Sequence, residues 1–188
     1  MALTIETGAI VADADSFISI EDADALLASL GTPEDSWVFL LEDEKEAALR
    51  VAYRYIADRW DDAFVGMRLR PAADGADPAQ TGAWPRRGAY YPEGITIGDD
   101  VIPAEVVQAQ ALYALAAQAQ ALDLYPSQAV DPSGRPLVEL EVEVGPVRER
   151  KRFVDGMALG LATRRYPQAD RRLSRLLIGG GRSRAIRA

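Results

Sequence analysis

The spacing of apolar residues predicts that the first half of the chain is mostly helical. In DEKEAALRVAYRYIADRW, residues 43–60, the residues Ala48, Ala52 and Ile56 recur every four positions. That spacing places them on one face of a helix, as expected for a helix that packs on a core. The alanine-rich segment IPAEVVQAQALYALAAQAQAL, residues 102–122, predicts a further helix whose small side chains allow neighbours to approach closely.

Shorter helices are predicted before and after these two. Ser19 is a favourable N-cap for a helix in SFISIEDADALLASLG, and Gly31 is a favourable residue just past its end. The segment TPEDSWVFLL, residues 32–41, has a threonine cap and a proline at the first helical position, which predicts another helix start. Two short helices are predicted near the C-terminus, at residues 157–163 and 167–178.

Residues 64–100 have no sustained apolar period and are rich in Gly, Pro, Asp and Ala, which predicts a long loop. Within it, WPRRGAYY combines aromatic and basic side chains. One interpretation is a surface on which bases stack while phosphates meet the arginines. The other, which we favour, is that the tryptophan anchors the loop on the core while the arginines remain solvated. The candidate loop contacts are Trp84, Arg86, Arg87, Tyr90 and Tyr91.

The segment VELEVEVGPVRERKRFV, residues 138–154, predicts a β-hairpin. Apolar residues and glutamates alternate strictly in its first half, so the glutamates share one face of a strand. If Gly145 and Pro146 form a two-residue turn, every glutamate on that face lies opposite an arginine. Such pairs contribute roughly 0.2–1 kcal/mol each, enough to favour this register. The predicted pairs are Glu139 with Arg152, Glu141 with Arg150, and Glu143 with Arg148.

On the other face of the hairpin, the same register pairs Val144 with Val147 and Val138 with Phe153. Gly-Pro is a weaker turn signal than Asn-Gly, so one long extended arm with a kink at Pro146 is the alternative. In the hairpin, the basic strand is largely neutralised by its acidic partner strand, which makes it weak evidence for DNA binding. A two-stranded ribbon is only marginally stable by itself, so we expect it to pack on something.

Composition restricts the possible chemistry. The chain contains no cysteine and no histidine, which excludes disulfides, thiolate nucleophiles, imidazole ligands and Ser-His-Asp triads. Paired acids such as Asp61 with Asp62 lack the spacing of a calcium loop, and the glycines at 179–181 follow no strand. No run approaches the roughly 18 apolar residues of a membrane span, and the acidic N-terminus is unlike a secretory signal. We therefore predict a protein that is not an enzyme, with no cofactor, catalytic residue, metal site or membrane contact.

Charge is distributed unevenly along the chain, whose net charge is −8. Residues 1–147 carry −17 and residues 148–188 carry +9, so a basic end follows an acidic body. Such an asymmetry indicates an anionic partner, which is either nucleic acid or an acidic protein surface.

The predicted fold class is mainly α: a small helical bundle with a protruding β-hairpin or extended arm and a flexible basic C-terminal tail. We expect one domain plus arms. The helical body with its long loop takes residues 1–136, the hairpin or arm takes 137–154, and the C-terminal helices and tail take 155–188.

The order of several segments along nearly the whole chain resembles a known family. These segments are ADSFISIEDADALLASLG, KEAALRVAYRYIADRW, FVGMRLR, AWPR, VIPAEVVQAQALYALA, EVGPV and LSRLLIG. The chain resembles small proteins of tailed bacteriophages and prophages that are often labelled DnaT-like single-stranded-DNA-binding proteins. Those proteins are similar to head–tail connector (adaptor) proteins, which form rings beneath the portal.

The resemblance implies a structural virion protein, made in the host cytoplasm, that forms a dodecameric ring between the portal and a tail or neck protein. DNA would pass through the ring without specific readout. The alternative is a single-stranded-DNA-binding protein whose loop aromatics stack bases, which the acidic body opposes because it repels a polyanion. The candidate contacts to a portal or a neighbouring subunit are Arg148, Arg150, Arg152, Arg171, Arg172, Arg175, Arg182, Arg184 and Arg187.

Overall fold

The structure is a computed structural model that describes residues 2–31, 35–70, 78–125, 137–143, 148–153 and 165–179. It describes the backbone alone for residues 35–36, 137–143 and 148–153. Contacts divide the chain into two compact units. The first combines Met1–Leu124 with Tyr166–Ala188, and the second is Tyr125–Arg165.

The first unit is helical, as predicted. Its helices are α1 at Ile20–Ser29, α2 at Asp35–Val38, α3 at Glu42–Trp60, α4 at Ala104–Ala119 and α5 at Pro167–Leu173. Short 3₁₀ turns follow α3 at Asp61–Ala63 and α5 at Ser174–Leu176. A two-residue ladder pairs β1, Met67–Arg68, with β2, Arg86–Arg87. No helix among these described segments is both long enough and apolar enough to span a bilayer.

The ends of α1 and α3 follow the local sequence signals. The Ser19 hydroxyl oxygen accepts a hydrogen bond from the Asp22 N–H at 3.1 Å, which caps α1 as predicted. Gly31 follows the helix with φ +63°, a conformation that glycine adopts without strain. At the start of α3, the Glu44 carboxylate accepts from the Leu41 N–H at 2.9 Å. The helix predicted to start in residues 32–41 is a single turn, and the chain bends after it.

The core is built around α4, which packs against α1, α2, α3 and α5. Its buried alanines, such as Ala109 and Ala114, let these neighbours approach closely from several sides. Gln110 is fully buried among them, and its amide nitrogen donates to Leu49 O and to Ser16 Oγ, both at 2.9 Å. Its amide oxygen accepts from the Phe17 N–H at 2.8 Å, so this side chain ties the N-terminal segment to α3 and α4. This role of Gln110 was not predicted from the sequence.

Apart from the short β1–β2 ladder, the described parts of the 64–100 loop are irregular, as predicted, but they are held by specific contacts. The Gln80 amide donates to Gly82 O at 3.1 Å and to Pro85 O at 2.9 Å. Its oxygen accepts from the Leu69 N–H at 3.1 Å, so the two limbs of the loop are joined at their base. Trp84 is 0% exposed and packs edge-on against the Phe64 ring, which confirms that it anchors the loop.

The prediction that both loop arginines remain solvated is wrong for Arg86. This side chain is only 5% exposed, and its Nη1 lies 2.7 Å from an Asp61 carboxylate oxygen. It also donates to the carbonyl oxygens of Val65 at 3.1 Å and Gly66 at 2.9 Å. A buried guanidinium is stable here because a carboxylate and several carbonyls replace its lost water. Arg87 is exposed, as predicted.

The second unit contains an antiparallel hairpin of β3, Leu137–Glu143, and β4, Arg148–Phe153. The Cα partners confirm the predicted register for the three glutamate–arginine pairs, and the extended-arm alternative is wrong. They include Glu139 with Arg152, Glu141 with Arg150 and Glu143 with Arg148.

One predicted pair of the hairpin is wrong. Phe153 pairs with Leu137 instead of Val138, because the ladder shifts its register between Leu137 and Glu139. A shift of this kind places an extra residue in one strand, which here is Val138. The predicted turn at Gly145 and Pro146, the pair of Val144 with Val147 and the helix at 157–163 lie outside the described residues. The boundaries at 136 and 154 stay predictions.

Candidate nucleic-acid interface

Several arginines of the helical unit form ion pairs with carboxylates of the same unit. The distances between a guanidinium nitrogen and a carboxylate oxygen are 2.6 Å for Arg50 with Asp15 and 3.4 Å for Arg59 with Asp170. The same distance is 2.8 Å for Arg68 with Asp61. These side chains neutralise the acidic body from within. They are poorly placed to bind an external anion, because each is already paired with a carboxylate.

A different set of arginines lines a groove beside α5. The groove has a volume of about 730 Å³ and lies between the end of α1, the first half of α4, and α5. Its apolar residues are Leu30, Gly31, Ala104, Leu112 and Pro167, and its uncharged polar residues are Gln108 and Gln168. Its charged residues are Glu105, Arg171, Arg172 and Arg175.

The spacing of residues along α5 determines which of its side chains pack on the core and which face the groove and the solvent. Ala169 and Leu173 are four residues apart and buried, so they form the face that packs on the core. Arg171 and Arg172 fall on the other side and are exposed. Neither guanidinium makes an ion pair or hydrogen bond with a described residue. These two cations are therefore available to an external anion.

Arg175 is held differently. Its Nη2 lies 2.8 Å from a Glu93 carboxylate oxygen, and its guanidinium stands 5.3 Å from the centre of the Tyr91 ring. The Tyr91 hydroxyl donates to Glu105 at 3.1 Å, and burial together with that carboxylate raises the pKa of Tyr91. Arg175 is thus fixed in position at the groove but already shares its charge with acids.

A cluster of polar contacts positions α5 against α3 and α4. Asp170 accepts a hydrogen bond from the Tyr113 hydroxyl at 2.6 Å and from the Tyr166 N–H at 3.2 Å. The rings of Tyr55, Tyr113 and Tyr166 meet edge to face, with centres 5.0 to 5.9 Å apart. The arginine-bearing helix is therefore rigidly attached to the core.

The structure separates the predicted site residues into four groups. It brings Arg171, Arg172 and Arg175 together at the groove. Arg148, Arg150 and Arg152 lie in β4 of the second unit, and Arg182, Arg184 and Arg187 lie outside the described residues. Among the predicted loop contacts, Trp84 and Arg86 are buried, whereas Arg87 and Tyr90 are exposed. The Tyr91 ring lies against the Arg175 guanidinium. That any of them contacts a partner stays a prediction.

The burial of Trp84 corrects one part of the base-stacking interpretation. A ring that is 0% exposed offers no face to a base, so stacking on Trp84 would require the core to open. Tyr90, at 53% exposed, retains an accessible ring. Within the described segments, no cluster of acidic side chains has the arrangement needed to hold a metal ion.

The whole chain, residues 1–188, matches the family described as "Putative DnaT-like ssDNA binding protein". The chain belongs to this DnaT-like family. No curated protein and no solved structure matches it. Among the expectations above, the family favours the DNA-binding alternative, and no comparison supports the head–tail connector part of the resemblance. The description names binding rather than a reaction, so the DnaT-like protein falls in a family of binding proteins.

Proposed function

We propose that this DnaT-like protein binds single-stranded DNA along the groove beside α5, mainly through the phosphate backbone. The observation that carries this proposal is the exposed pair Arg171 and Arg172, which have no described acidic partner. A guanidinium presents several N–H donors in a fixed plane, an arrangement that matches phosphate oxygens. Arg175 adds a third, fixed cation at the same groove.

The rest of the groove favours sequence-tolerant binding. Its floor is apolar, and Gln108 and Gln168 are the amides beside it. Base stacking on an aromatic residue contributes about 1–3 kcal/mol per base. Trp84 is buried, so Tyr90 is the exposed ring of the predicted loop set. Phosphate contacts therefore supply most of the proposed affinity, and base identity supplies little.

The acidic body limits the affinity but does not prevent binding at this site. The chain carries a net charge of −8, which repels a polyanion at long range. At physiological salt the Debye length is about 8 Å, so charges farther away are largely screened. The arginines at the groove then decide the local interaction. Binding should be of modest strength and strongly dependent on salt.

The test is fluorescence anisotropy of a labelled oligothymidylate at several salt concentrations. The logarithm of the binding constant should fall by about 0.7 per neutralised phosphate for each tenfold rise in salt. The double variant Arg171→Gln, Arg172→Gln should reduce that slope by about 1.4. Arg54→Gln is the matched control, because Arg54 is an exposed arginine on α3 outside the groove. Equal slopes for all three proteins would rule out the groove as the DNA site.

A second candidate function is the head–tail adaptor, a ring-forming virion protein that joins the portal to a tail or neck protein. Its specific support is a set of exposed apolar side chains at the corner between α2 and α3. Val38 is 56% exposed, Phe39 is 82% exposed and Leu41 is 67% exposed. Large apolar side chains held in water are typical of surfaces that contact another protein.

Light scattering with and without a purified portal tests this second function. An adaptor is expected to be monomeric or weakly associated by itself and to form a ring on the portal. A tight dimer that is unchanged by the portal contradicts the adaptor. The same samples, probed with oligonucleotide, separate the two candidates.

A further inference from the structure

The corner between α2 and α3 forms an apolar knob with an acidic border. We define the knob as Val38, Phe39 and Leu41, which are all exposed. The three residues that follow it, Glu42, Asp43 and Glu44, are also exposed. The surface therefore combines large apolar side chains with a concentrated negative charge.

Contacts on both sides hold the knob out from the core. Before it, Trp37 is buried, and its indole N–H donates to Asp24 at 2.6 Å. After it, Lys45 is buried and forms a 2.8 Å ion pair with the same Asp24 carboxylate. Because these two neighbours are fixed on α1, the chain between them projects outward. Phe39 is thus exposed because the contacts of Trp37 and Lys45 with Asp24 hold the backbone on both sides of it.

The groove beside α5 is complementary to the knob in its chemistry. Leu30, Leu112 and Pro167 provide an apolar floor, whereas Arg171 and Arg172 provide positive charge at its edge. The knob has an apolar centre and acidic neighbours. Its apolar side chains therefore match the apolar floor of the groove, and its carboxylates match the arginines at the edge. Docking would bury the Phe39 ring and place carboxylates beside Arg171 and Arg172, which have no acidic partner among the described residues.

The two surfaces lie at different ends of α4. The Gln118 amide donates to Glu44 O at 2.8 Å, which places the knob near the C-terminal end of α4. Leu112 is the α4 residue of the groove nearest to Gln118, and it precedes Gln118 by six residues. Six residues of helix correspond to about 9 Å along its axis. The knob and groove of one copy therefore lie apart, so a knob that fills this groove comes from a second copy.

We infer that the α2–α3 knob of one copy docks into the α5 groove of the next copy, head to tail. An interface made of two different surfaces leaves a free knob at one end and a free groove at the other. Copies therefore add in series and produce a ring or a filament, whereas a two-fold interface stops at a dimer. This inference does not rest on DNA binding, and its test contains no DNA.

Sedimentation velocity over a concentration series tests the contact. The wild type should exceed dimer mass as concentration rises. Phe39→Asp and the double variant Arg171→Glu, Arg172→Glu should each raise the dissociation constant roughly tenfold or more. Ile178→Asp and Arg54→Glu are the controls, since Ile178 is 70% exposed and neither position lines the groove or the knob. Circular dichroism checks that each variant is folded.

Mixing the two defective proteins gives the decisive result. Phe39→Asp retains an intact groove, and the double arginine variant retains an intact knob. Each should be monomeric by itself, and the mixture should form a dimer of two different chains and nothing larger. A wild type that stays monomeric up to about 1 mM overturns the inference. Three other results also overturn it. They are a wild type that stops at a dimer, a Phe39→Asp protein that associates as strongly as the wild type, and capture of a different protein by a monomeric wild type through Phe39.

Discussion

The Tyr113 hydroxyl donates a 2.6 Å hydrogen bond to Asp170, and this contact joins the central helix α4 to the arginine-bearing helix α5. Tyr113 is fully buried, and its oxygen also accepts from the Trp60 indole N–H at 2.9 Å. Burial and the neighbouring carboxylate raise the pKa of Tyr113, so its hydroxyl remains a donor at neutral pH. The position of the groove therefore depends on a contact made well inside the fold.

Replacing Tyr113 with phenylalanine should destabilise the protein without creating a large cavity. The change removes the hydrogen bond to a carboxylate, which contributes about 1.5–3 kcal/mol. Urea unfolding of Tyr113→Phe should show a loss of that size. Tyr90→Phe is the control, because Tyr90 is half-exposed and its loss of a hydroxyl should leave stability unchanged. If both variants unfold like the wild type, the Tyr113–Asp170 bond contributes nothing to the attachment of α5.

Replacing the fully buried Gln110 should lower the free energy of unfolding by a similar amount. Gln110→Leu removes the acceptor of the Phe17 N–H, which would be left in the core without a partner. One orphaned buried donor costs about 1–3 kcal/mol, so we expect unfolding to become easier by that amount. Gln118→Leu is the control on the same helix, since its amide makes an exposed contact. A Gln110→Leu protein as stable as this control would show that the N-terminal segment is held by other contacts.

Stability should also fall at alkaline pH because of buried tyrosines. Burial raises the pKa of Tyr53 from 10.0 to about 12. Below pH 10 the hydroxyl is protonated in both states, so its contribution to stability is fully present. Between pH 10 and 12 the unfolded state loses this proton first, and the free energy of unfolding falls by up to about 3 kcal/mol.

Urea titrations across that pH range measure this effect. The wild type should lose stability more steeply than Tyr53→Phe, which lacks the titrating group. Tyr90→Phe, changed at an exposed ring, should follow the wild type. Parallel curves for all three proteins would mean that Tyr53 ionises as easily when folded as when unfolded.

The sequence predicted those features that depend on local periodicity. The register of β3 and β4 followed from strict alternation, because a one-residue slip would move every glutamate to the other face. The helices α3 and α4 followed from apolar spacing and lie within two or three residues of their predicted ends. Ser19 acts as a cap because its hydroxyl reaches a backbone N–H of the next turn, a purely local interaction.

The candidate site could be predicted only in part, because its residues come from separate elements. Arg171 and Arg172 were found as members of the basic C-terminal segment. Leu30 and Gln108 carry no local signal for a groove, and they reach it only because α1 and α4 pack beside α5. Arg86 was misjudged for the same reason. Its carboxylate partner, Asp61, is distant in sequence, so nothing local distinguishes it from the solvated Arg87.

The hairpin provides a prediction about charge pairs. Glu141 and Arg150 are Cα partners in the antiparallel ladder. Reversing either charge alone places like charges opposite each other and should weaken the pairing, whereas Glu141→Arg with Arg150→Glu should restore it. The expected coupling is about 0.5 kcal/mol. Amide hydrogen exchange in the two strands measures it, and zero coupling here and at the neighbouring pairs would show that these charges do not stabilise the register.

The last prediction links DNA binding to self-association. Both proposals use Arg171 and Arg172, so a groove filled by a knob cannot also hold phosphates. Adding excess oligothymidylate to associated wild-type protein should therefore lower its sedimentation coefficient toward that of a monomer–DNA complex. Phe39→Asp retains its arginines and should bind the oligonucleotide at least as tightly as the wild type at high protein concentration, because no knob competes. Arg54→Gln should behave as wild type in both respects. If the assembly instead keeps its mass and carries bound DNA, the DNA and the knob of a second copy bind to different surfaces. The salt dependence of DNA binding by the arginine variants then decides whether the DNA or the knob occupies the groove.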